Sequence, residues 1–418
     1  MENKIFTVAI LGAGSRGADA YGTLINEQKD KFNIVSICDI RKERLDRFGE
    51  LFEVEKSELF TDEDAFFSKK RADLLVIATQ DADHFRHALK AFELGYDVLL
   101  EKPITDKIEE CEALLSAQKK YGVKAMVCHV LRYAPAFSKL HELVNSGIIG
   151  KLVGINANEG PNYWHQAHSY VRGNWRSSKT STPMILAKCC HDLDLLQWYA
   201  GSECKSVSSI GNLSFFKKEN APENTAERCV DCRLINECPY SAKRVYVDRW
   251  KDVGSPIDSW PFNVVTTAPV NEEKLIEAIK IGQYGRCAFR CDNDVVDNQI
   301  VMMEFANGVK AELTMTAFTS GRRYLLYGTY GNILLDSGKI TVEVFGNKEK
   351  SYSITVRELE EKGHAHGGGD SKLINSLYDM LTGKEVSKTS LVQSVESHLM
   401  GILAEKSRLE NGKPYKVH

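Results

Sequence analysis

The sequence is short of several features that would assign it to a class at once. No apolar run exceeds the length of a strand, so a membrane-spanning helix of about 20 apolar residues is not expected. Neither sign of charge dominates. The 54 Lys and Arg residues nearly balance 57 Asp and Glu, for a net charge of -3. No broad field therefore invites nucleic acid or an anionic membrane surface. Internal repeats and low-complexity tracts are absent, which argues against a solenoid or a disordered linker. The opening MENKIFTVAILGAG carries no small-residue cleavage site after an apolar stretch. It reads as a strand rather than a signal peptide, and a cytoplasmic protein is expected. The eleven cysteines fit that setting. An odd count without a secretion signal argues against a disulfide framework, so reduced thiols are expected, some of them available to a metal.

What is present is an alternating pattern. Apolar runs at 6–11, 32–38, 74–78, 98–100 and 124–129 are separated by helical stretches. Strands alternating with helices predict parallel βαβ units. After about residue 131 the rhythm changes. A helix over 135–146 leads to a strand over 152–157, and a second helix is predicted from about Pro183, capped by Thr182. Strand candidates at 299–305, 309–316, 323–328, 333–335, 339–344 and 351–356 then form a meander. Two helices close the chain, near 370–382 and 390–410. The expected fold is α/β: an N-terminal Rossmann domain with a doubly wound parallel sheet, residues 1–130, followed by residues 131–418. The second domain is an α+β unit with a large, mostly antiparallel sheet. A polar, cysteine-bearing insertion at about 214–292, with little core of its own, interrupts it.

The first strand runs into GAGSRG, Gly12 to Gly17. A glycine pattern after a strand and opening a helix is the dinucleotide-binding context. Gly12 permits the tight turn, Gly14 the approach of a pyrophosphate, and Gly17 the packing of helix on strand. Ala13, Ser15 and Arg16 complete the loop, and the helix N-terminus offers amide donors to phosphate. Asp39 ends the second strand, where an acid accepts from the adenosine ribose hydroxyls and disfavours a 2′-phosphate. With Ile40 and Arg41 beside it, NAD is expected, and Arg41 leaves NADP open. Lys102, within Glu101-Lys102-Pro103, sits at the carboxyl end of a later strand, the edge where open α/β sheets bind ligands.

Three further segments carry chemistry. NYWHQAHSYVRGNWR, 162–176, offers Trp164 and Trp175 to stack on a sugar ring, with His165, His168, Arg172 and Arg176 to grip hydroxyls or an acidic group. HAHGGGD, 364–370, places His364 and His366 before a helix that Asp370 is expected to cap, with a loop over the active site as the alternative. Cys229-Val-Asp-Cys232 is followed by Cys238, and later by Cys287 and Cys291, which is thiolate–metal spacing. Tetrahedral zinc needs four of the five. Zinc is favoured over an iron–sulfur cluster because NAD chemistry needs no one-electron relay.

The motifs taken together resemble the glucose-fructose oxidoreductase / inositol dehydrogenase (Gfo/Idh/MocA) family. They are GAGSRG, ICD ending at Asp39, IATQDADH, EKP, LRYAP, GNWR and HDLDLLQW, in the family's order over residues 5–198. The resemblance implies hydride transfer at a sugar, sugar-derivative or cyclitol carbinol carbon, with Lys102 and His191 around the reacting hydroxyl. It also implies that Thr79, Gln80, His84, Glu101 and His129 line the cofactor, and that Trp175 and Arg176 reach it from the second domain. One departure stands out. Inositol dehydrogenases of the family carry an aspartate one helical turn before the histidine, and here that position is Ala187, with Lys188 beside it. Helical spacing predicts Ala187, His191, Asp194 and Trp198 on one face. The acid/base set then reads Lys102, Lys188 and His191, with Asp194 orienting or binding. Two alternatives to a dehydrogenase follow: an NAD-dependent glycosidase that works through a transient keto-sugar, and a nucleotide sensor with a degenerate site. A homodimer or homotetramer is expected, because an open sheet face of this size needs a partner.

Overall fold

The computed structural model describes residues 4–360 and 365–418. Its first sheet contains β1 (Phe6–Leu11), β2 (Phe32–Cys38), β3 (Leu59–Phe60), β4 (Leu74–Ile77), β5 (Asp97–Leu100) and β6 (Ala125–Val127). Their order is β3-β2-β1-β4-β5-β6, and every pairing is parallel. The cause is visible in the strands. Val8, Ile10, Leu74 and Val76 point into one apolar core, while Ala9, Leu11, Leu75 and Ile77 point into a second on the opposite face. A strand apolar at every position is stable only where helices cover both faces. Removing one such side chain, as in Leu75→Ala, would cost about 2–5 kcal/mol.

The second sheet has nine strands in the order β14-β13-β12-β11-β7-β10-β9-β8-β15. They are β7 (Leu152–Pro161), β8 (Cys204–Asn212), β9 (Asn298–Phe305), β10 (Lys310–Thr316), β11 (Ser320–Gly328), β12 (Gly331–Asp336), β13 (Lys339–Val344), β14 (Tyr352–Thr355) and β15 (Tyr415–Lys416). Only β7 and β10 run parallel. The meander is as expected; β8 and β15 are additional. The helix Leu391–Leu409 packs on β8, on β6 and on the helix Cys190–Ala200, which couples the two sheets. Gly401 allows that approach, since a Cβ there would stand 2.5 Å from the Leu186 side chain.

Two local expectations are corrected. The helix from Pro183 is broken: Met184–Ala187 ends, and a new helix starts at Cys190. Thr182 does not cap it, because its hydroxyl donates to Asp81 Oδ2 at 2.8 Å. The insertion also has a core of its own. Val245, Tyr246, Trp250, Phe262, Leu275, Ile279 and Tyr284 are buried together within it. Among the described residues no helix is long and apolar enough to cross a membrane.

Candidate active site

The glycine loop is shaped by what it excludes. Gly12 has φ +92°, and a Cβ on it would lie 2.5 Å from the Ala78 carbonyl oxygen. A Cβ on Gly17 would lie 1.9 Å from the Gly12 oxygen. At Gly14 a Cβ would meet only the Arg44 side chain, at 3.5 Å, so the outer rim is open to a ligand's backbone-close approach. Gly14 immediately precedes the helical turn Ser15–Gly22, and a helix start leaves its first amides free for phosphate. The cradle therefore fits a dinucleotide pyrophosphate.

Asp39 is buried, and much of its carboxylate is used by the protein itself. Oδ2 accepts from the Ala13 amide at 2.7 Å, and Oδ1 from the Arg41 amide at 2.9 Å. Arg44 Nη1 stands 3.2 Å from Oδ2. The acid thus braces the loop, and Arg44 offsets the charge that would repel a 2′-phosphate. Ile40 is fully presented beside it. Arg16 departs from its expected place on the cofactor. Its guanidinium pairs with Glu101 at 2.9 Å and Asp370 at 2.7 Å, and it also donates to Tyr21. Asp370 correspondingly does not cap the helix Gly369–Thr382; it holds Arg16 and His366, the latter at 2.8 Å. His364 lies outside the described residues.

The strand ends build the adjoining wall. Gln80 is exposed after β4, and Thr79 Oγ1 bonds His87 Nδ1 at 3.0 Å. His84 is buried, with the Pro103 carbonyl 2.6 Å from Nδ1 and the Thr79 carbonyl 3.2 Å from Nε2. It ties two strand-end loops together rather than facing a ligand. After β5, burial disfavours the charge on Glu101. Arg16 and Lys102 nearby, with hydrogen bonds from Tyr21 and Arg16, outweigh that and hold the carboxyl below its usual range. The Lys102-Pro103 peptide is cis.

Lys102 Nζ donates to the Ala187 carbonyl at 3.0 Å. His191 is half-buried beside it, and its Nδ1 has no partner. Burial first, then the charge of Lys102, pushes the His191 imidazole well below its ordinary range, so it is neutral at physiological pH. His129, after the end of β6, is fully buried; neither ring nitrogen makes a hydrogen bond, Nε2 stands 4.0 Å from Asp194 Oδ1, and its ring centroid is 5.8 Å from that of His191.

A charged floor that sequence reasoning missed lies beneath. Glu159 on β7 faces Arg322 on β11 in direct register. Lys188 Nζ sits 3.1 Å from Glu159 Oε1, and Arg322 Nε sits 3.0 Å from Glu159 Oε2 and 2.8 Å from Asp192 Oδ1. Tyr324 donates to Asp192 at 2.7 Å. Lys188 is thus held by a buried carboxylate. Asp194 is not part of this set: Arg132 grips both its oxygens at 2.7 Å. The break after Ala187 takes that residue off the helical face that His191, Asp194 and Trp198 still share within Cys190–Ala200, and it is Arg132 that holds the Asp194 carboxylate. Trp198 instead stacks on His141.

The 162–176 segment divides. His165 is near both lysines: burial, then Lys188, pushes its pKa well below the usual value. Trp164 packs against Trp260 and under Arg249. His168 is walled into the insertion, stacked on Tyr284 and bonded to Tyr246 at 3.1 Å. Arg172 is likewise buried there, donating to the Arg286 and Tyr240 carbonyls. Neither reaches a substrate. Trp175 Nε1 donates to Asp81 Oδ2 at 2.9 Å, a bond from the second domain to the first. Arg176 is drawn away to Asp292, at 3.0 Å. Among the described residues, no three His, Cys, Asp or Glu side chains stand at metal-ligand distances.

Residues 6–129 match the family described as an oxidoreductase family with an NAD-binding Rossmann fold, and residues 141–417 match its C-terminal alpha/beta domain. The Bacillus subtilis oxidoreductase YteT is 25% identical over 79% of this chain and 80% of its own length. A 2,7-anhydro-N-acetylneuraminate hydratase of Mediterraneibacter gnavus is 26% identical over 50% of this chain and 53% of its own. Inositol 2-dehydrogenase 4 of Saccharopolyspora erythraea is 27% identical over 50% and 58%. The solved levoglucosan dehydrogenase, in complex with NADH and levoglucosan, superposes with a TM-score of 0.70 at 15% identity, covering 99% of this chain and all of its own. The chain belongs to the Gfo/Idh/MocA family of oxidoreductases, with both the NAD-binding Rossmann domain and the C-terminal alpha/beta domain of that family.

Proposed function

We propose that the protein moves a hydride between a carbinol carbon of a sugar, sugar derivative or cyclitol and NAD. The observation that carries this is the set of half-open groups after the ends of β5 and β6: Lys102, neutral His191 and His129, whose ring nitrogens make no hydrogen bond, beside the glycine cradle. Bound NAD supplies the hydride acceptor or donor. Gly12, Gly14, Gly17 and the first amides of the Ser15–Gly22 turn would hold its phosphates, and Asp39 with Arg44 would border its ribose. The chain's own part is proton handling. The Lys102 ammonium donates to the substrate oxygen and favours its alkoxide character. His191, kept neutral by burial, accepts the hydroxyl proton as the C–H bond breaks, as a general base must. Lys188, pinned by Glu159, and His165 beside it offer donors to neighbouring hydroxyls.

A second reading, a redox-neutral cycle through a transient keto-sugar that ends in elimination, is favoured by two observations. They are the hydratase relative and the absence of a carboxylate at Ala187. The test follows reduced nicotinamide and aglycone together over sugars, cyclitols and aryl glycosides. Steady growth of reduced cofactor on a free sugar or cyclitol is expected. Lys102→Ala should lower it by about 10²–10⁴-fold while cofactor binding persists. Aglycone release without net reduced cofactor would overturn the dehydrogenase and establish the second reading.

We further infer a homodimer or homotetramer, built on the outer face of the second sheet. Met302, Ile210 and Tyr327 stand exposed there. The described thiols are all free, which supports a cytoplasmic setting.

A further inference from the structure

The insertion gathers chemistry that hydride transfer does not use. Cys229, Cys232, Cys238 and Cys287 line one small cavity of about 20 Å³, above the roughly 10–15 Å³ that a single water-sized body needs. The topology is what brings distant cysteines together. Arg228 and Arg286 form an antiparallel bridge, and the Cys287 amide donates to the Glu227 carbonyl at 2.9 Å. Cys287 thus lies opposite Glu227, and Cys229 and Cys287 share one face of the bridge as a diagonal pair. The Cys232 amide closes on the Cys229 carbonyl at 3.2 Å, and the Cys238 amide on the Leu234 carbonyl at 2.9 Å, so both turns face the same space. Cys291 is the spare thiol. Its Sγ donates to the Cys287 carbonyl at 3.3 Å, and it does not line the cavity.

A second observation points into the same place. Arg172 is 0% exposed. Its Nε and Nη2 donate to backbone carbonyls at 2.7 Å each, Nη2 also donates to Cys229 Sγ at 3.6 Å, and the Tyr246 hydroxyl is a further neutral partner of the guanidinium. Its Nη1 has no partner. No carboxylate among the described residues pairs with it. A buried guanidinium without a counter-charge is strongly unfavourable. Neutral thiols do not supply that charge, whereas four thiolates around a dication carry two net negative charges.

We propose that Cys229, Cys232, Cys238 and Cys287 bind one zinc ion, with Arg172 as the charge partner of the thiolate set. Binding draws the sulfurs from the cavity wall to about 2.3 Å from a common centre. Each thiol loses one proton to solvent as its S–Zn bond forms, and the ion's oxidation state does not change. The site locks the insertion's loops to the segment Gln166–Arg172, which leads into Trp175. It has a structural role, since it contacts none of the proton-handling residues.

The test uses the full chain, purified without chelators, with metals measured by inductively coupled plasma mass spectrometry. About one zinc per chain is expected. Cys229→Ser and Cys287→Ser should each lose it, Cys291→Ser should keep it, and Arg172→Gln should lose zinc to a chelator at least tenfold faster. NAD binding by fluorescence reports whether each variant is folded. Cobalt added to metal-stripped wild-type protein gives an independent reading through its thiolate absorption in the visible. Wild-type protein that holds no zinc, and takes up no cobalt with that absorption, overturns the proposal. So does iron with inorganic sulfide in place of zinc.

Discussion

Acidification should unfold this protein partly through one histidine that never touches substrate. His398 is fully buried. Its Nε2 accepts from the Ile104 amide at 2.9 Å, and Nδ1–H donates to the Ser394 carbonyl at 2.8 Å. A proton on Nε2 would set N–H against N–H. Burial, and then His129 nearby, pushes its pKa down to about 3, from an unfolded value of about 6.5. The folded state thus binds fewer protons than the unfolded one. His398's contribution is intact above about pH 6.5 and is lost as pH falls toward its folded value. The gap is worth about 2 kcal/mol at pH 5 and about 3 kcal/mol at pH 4. Urea unfolding at pH 7, 6 and 5 on wild type and His398→Gln isolates it, since titrating groups that do not interact with residue 398 cancel in the difference. Glutamine can accept from Ile104 and donate to Ser394 but does not titrate in this range. The stability gap between the two proteins should narrow by about 2 kcal/mol from pH 7 to pH 5. Parallel pH profiles would refute the reasoning. Because Ile104 follows Lys102-Pro103, the same variant should also lower kcat more than it alters NAD affinity.

Two further outcomes test the edges of the site. Arg44 offsets Asp39 at the ribose edge, so Arg44→Ala should reduce kcat/KM with NADP about tenfold more than with NAD, about 1.4 kcal/mol; an equal loss with both would remove Arg44 from cofactor choice. Met302 is 56% exposed on the outer face of the second sheet. Met302→Asp should convert the oligomer to monomer in analytical ultracentrifugation, and a wild-type chain that already sediments as monomer would remove that face as an interface.

The parallel character of the first sheet was legible because its strands alternate with helices and are apolar at successive positions, as a sheet covered on both faces requires, whereas the strand order and the short β3 come from the structure alone. The glycine loop was legible because its steric demands are local: Gly12 and Gly17 leave no room for a Cβ. What escaped depends on register or on facing. Glu159 and Arg322 are far apart in sequence and meet only because β7 and β11 pair as they do. His168 and Arg172 carry the residue types of a sugar site, yet the insertion core buries them, and hydrogen-bonding type alone does not distinguish a ligand from a carbonyl as partner. Asp39 was placed correctly at the end of β2, but its oxygens are occupied by the amides of its own loop.

The exchange of aspartate for Ala187 shows how a local loss can change chemistry without removing a role. A carboxylate at that position would both hold a neighbouring lysine and neutralise it. Here the Ala187 main-chain carbonyl still holds Lys102, at 3.0 Å. A carbonyl is a dipole rather than a full charge, and the neighbouring Glu101 carboxylate is shared with Arg16, so the ammonium's field still reaches His191. After burial, that field is the largest influence keeping His191 neutral. It also falls on whatever oxygen approaches the pair. The two residues are therefore arranged for opposite tasks, Lys102 to carry positive charge at the reacting oxygen and His191 to take its proton. A base works best with its pKa near the operating pH, so the field that keeps His191 unprotonated also limits its strength as an acceptor.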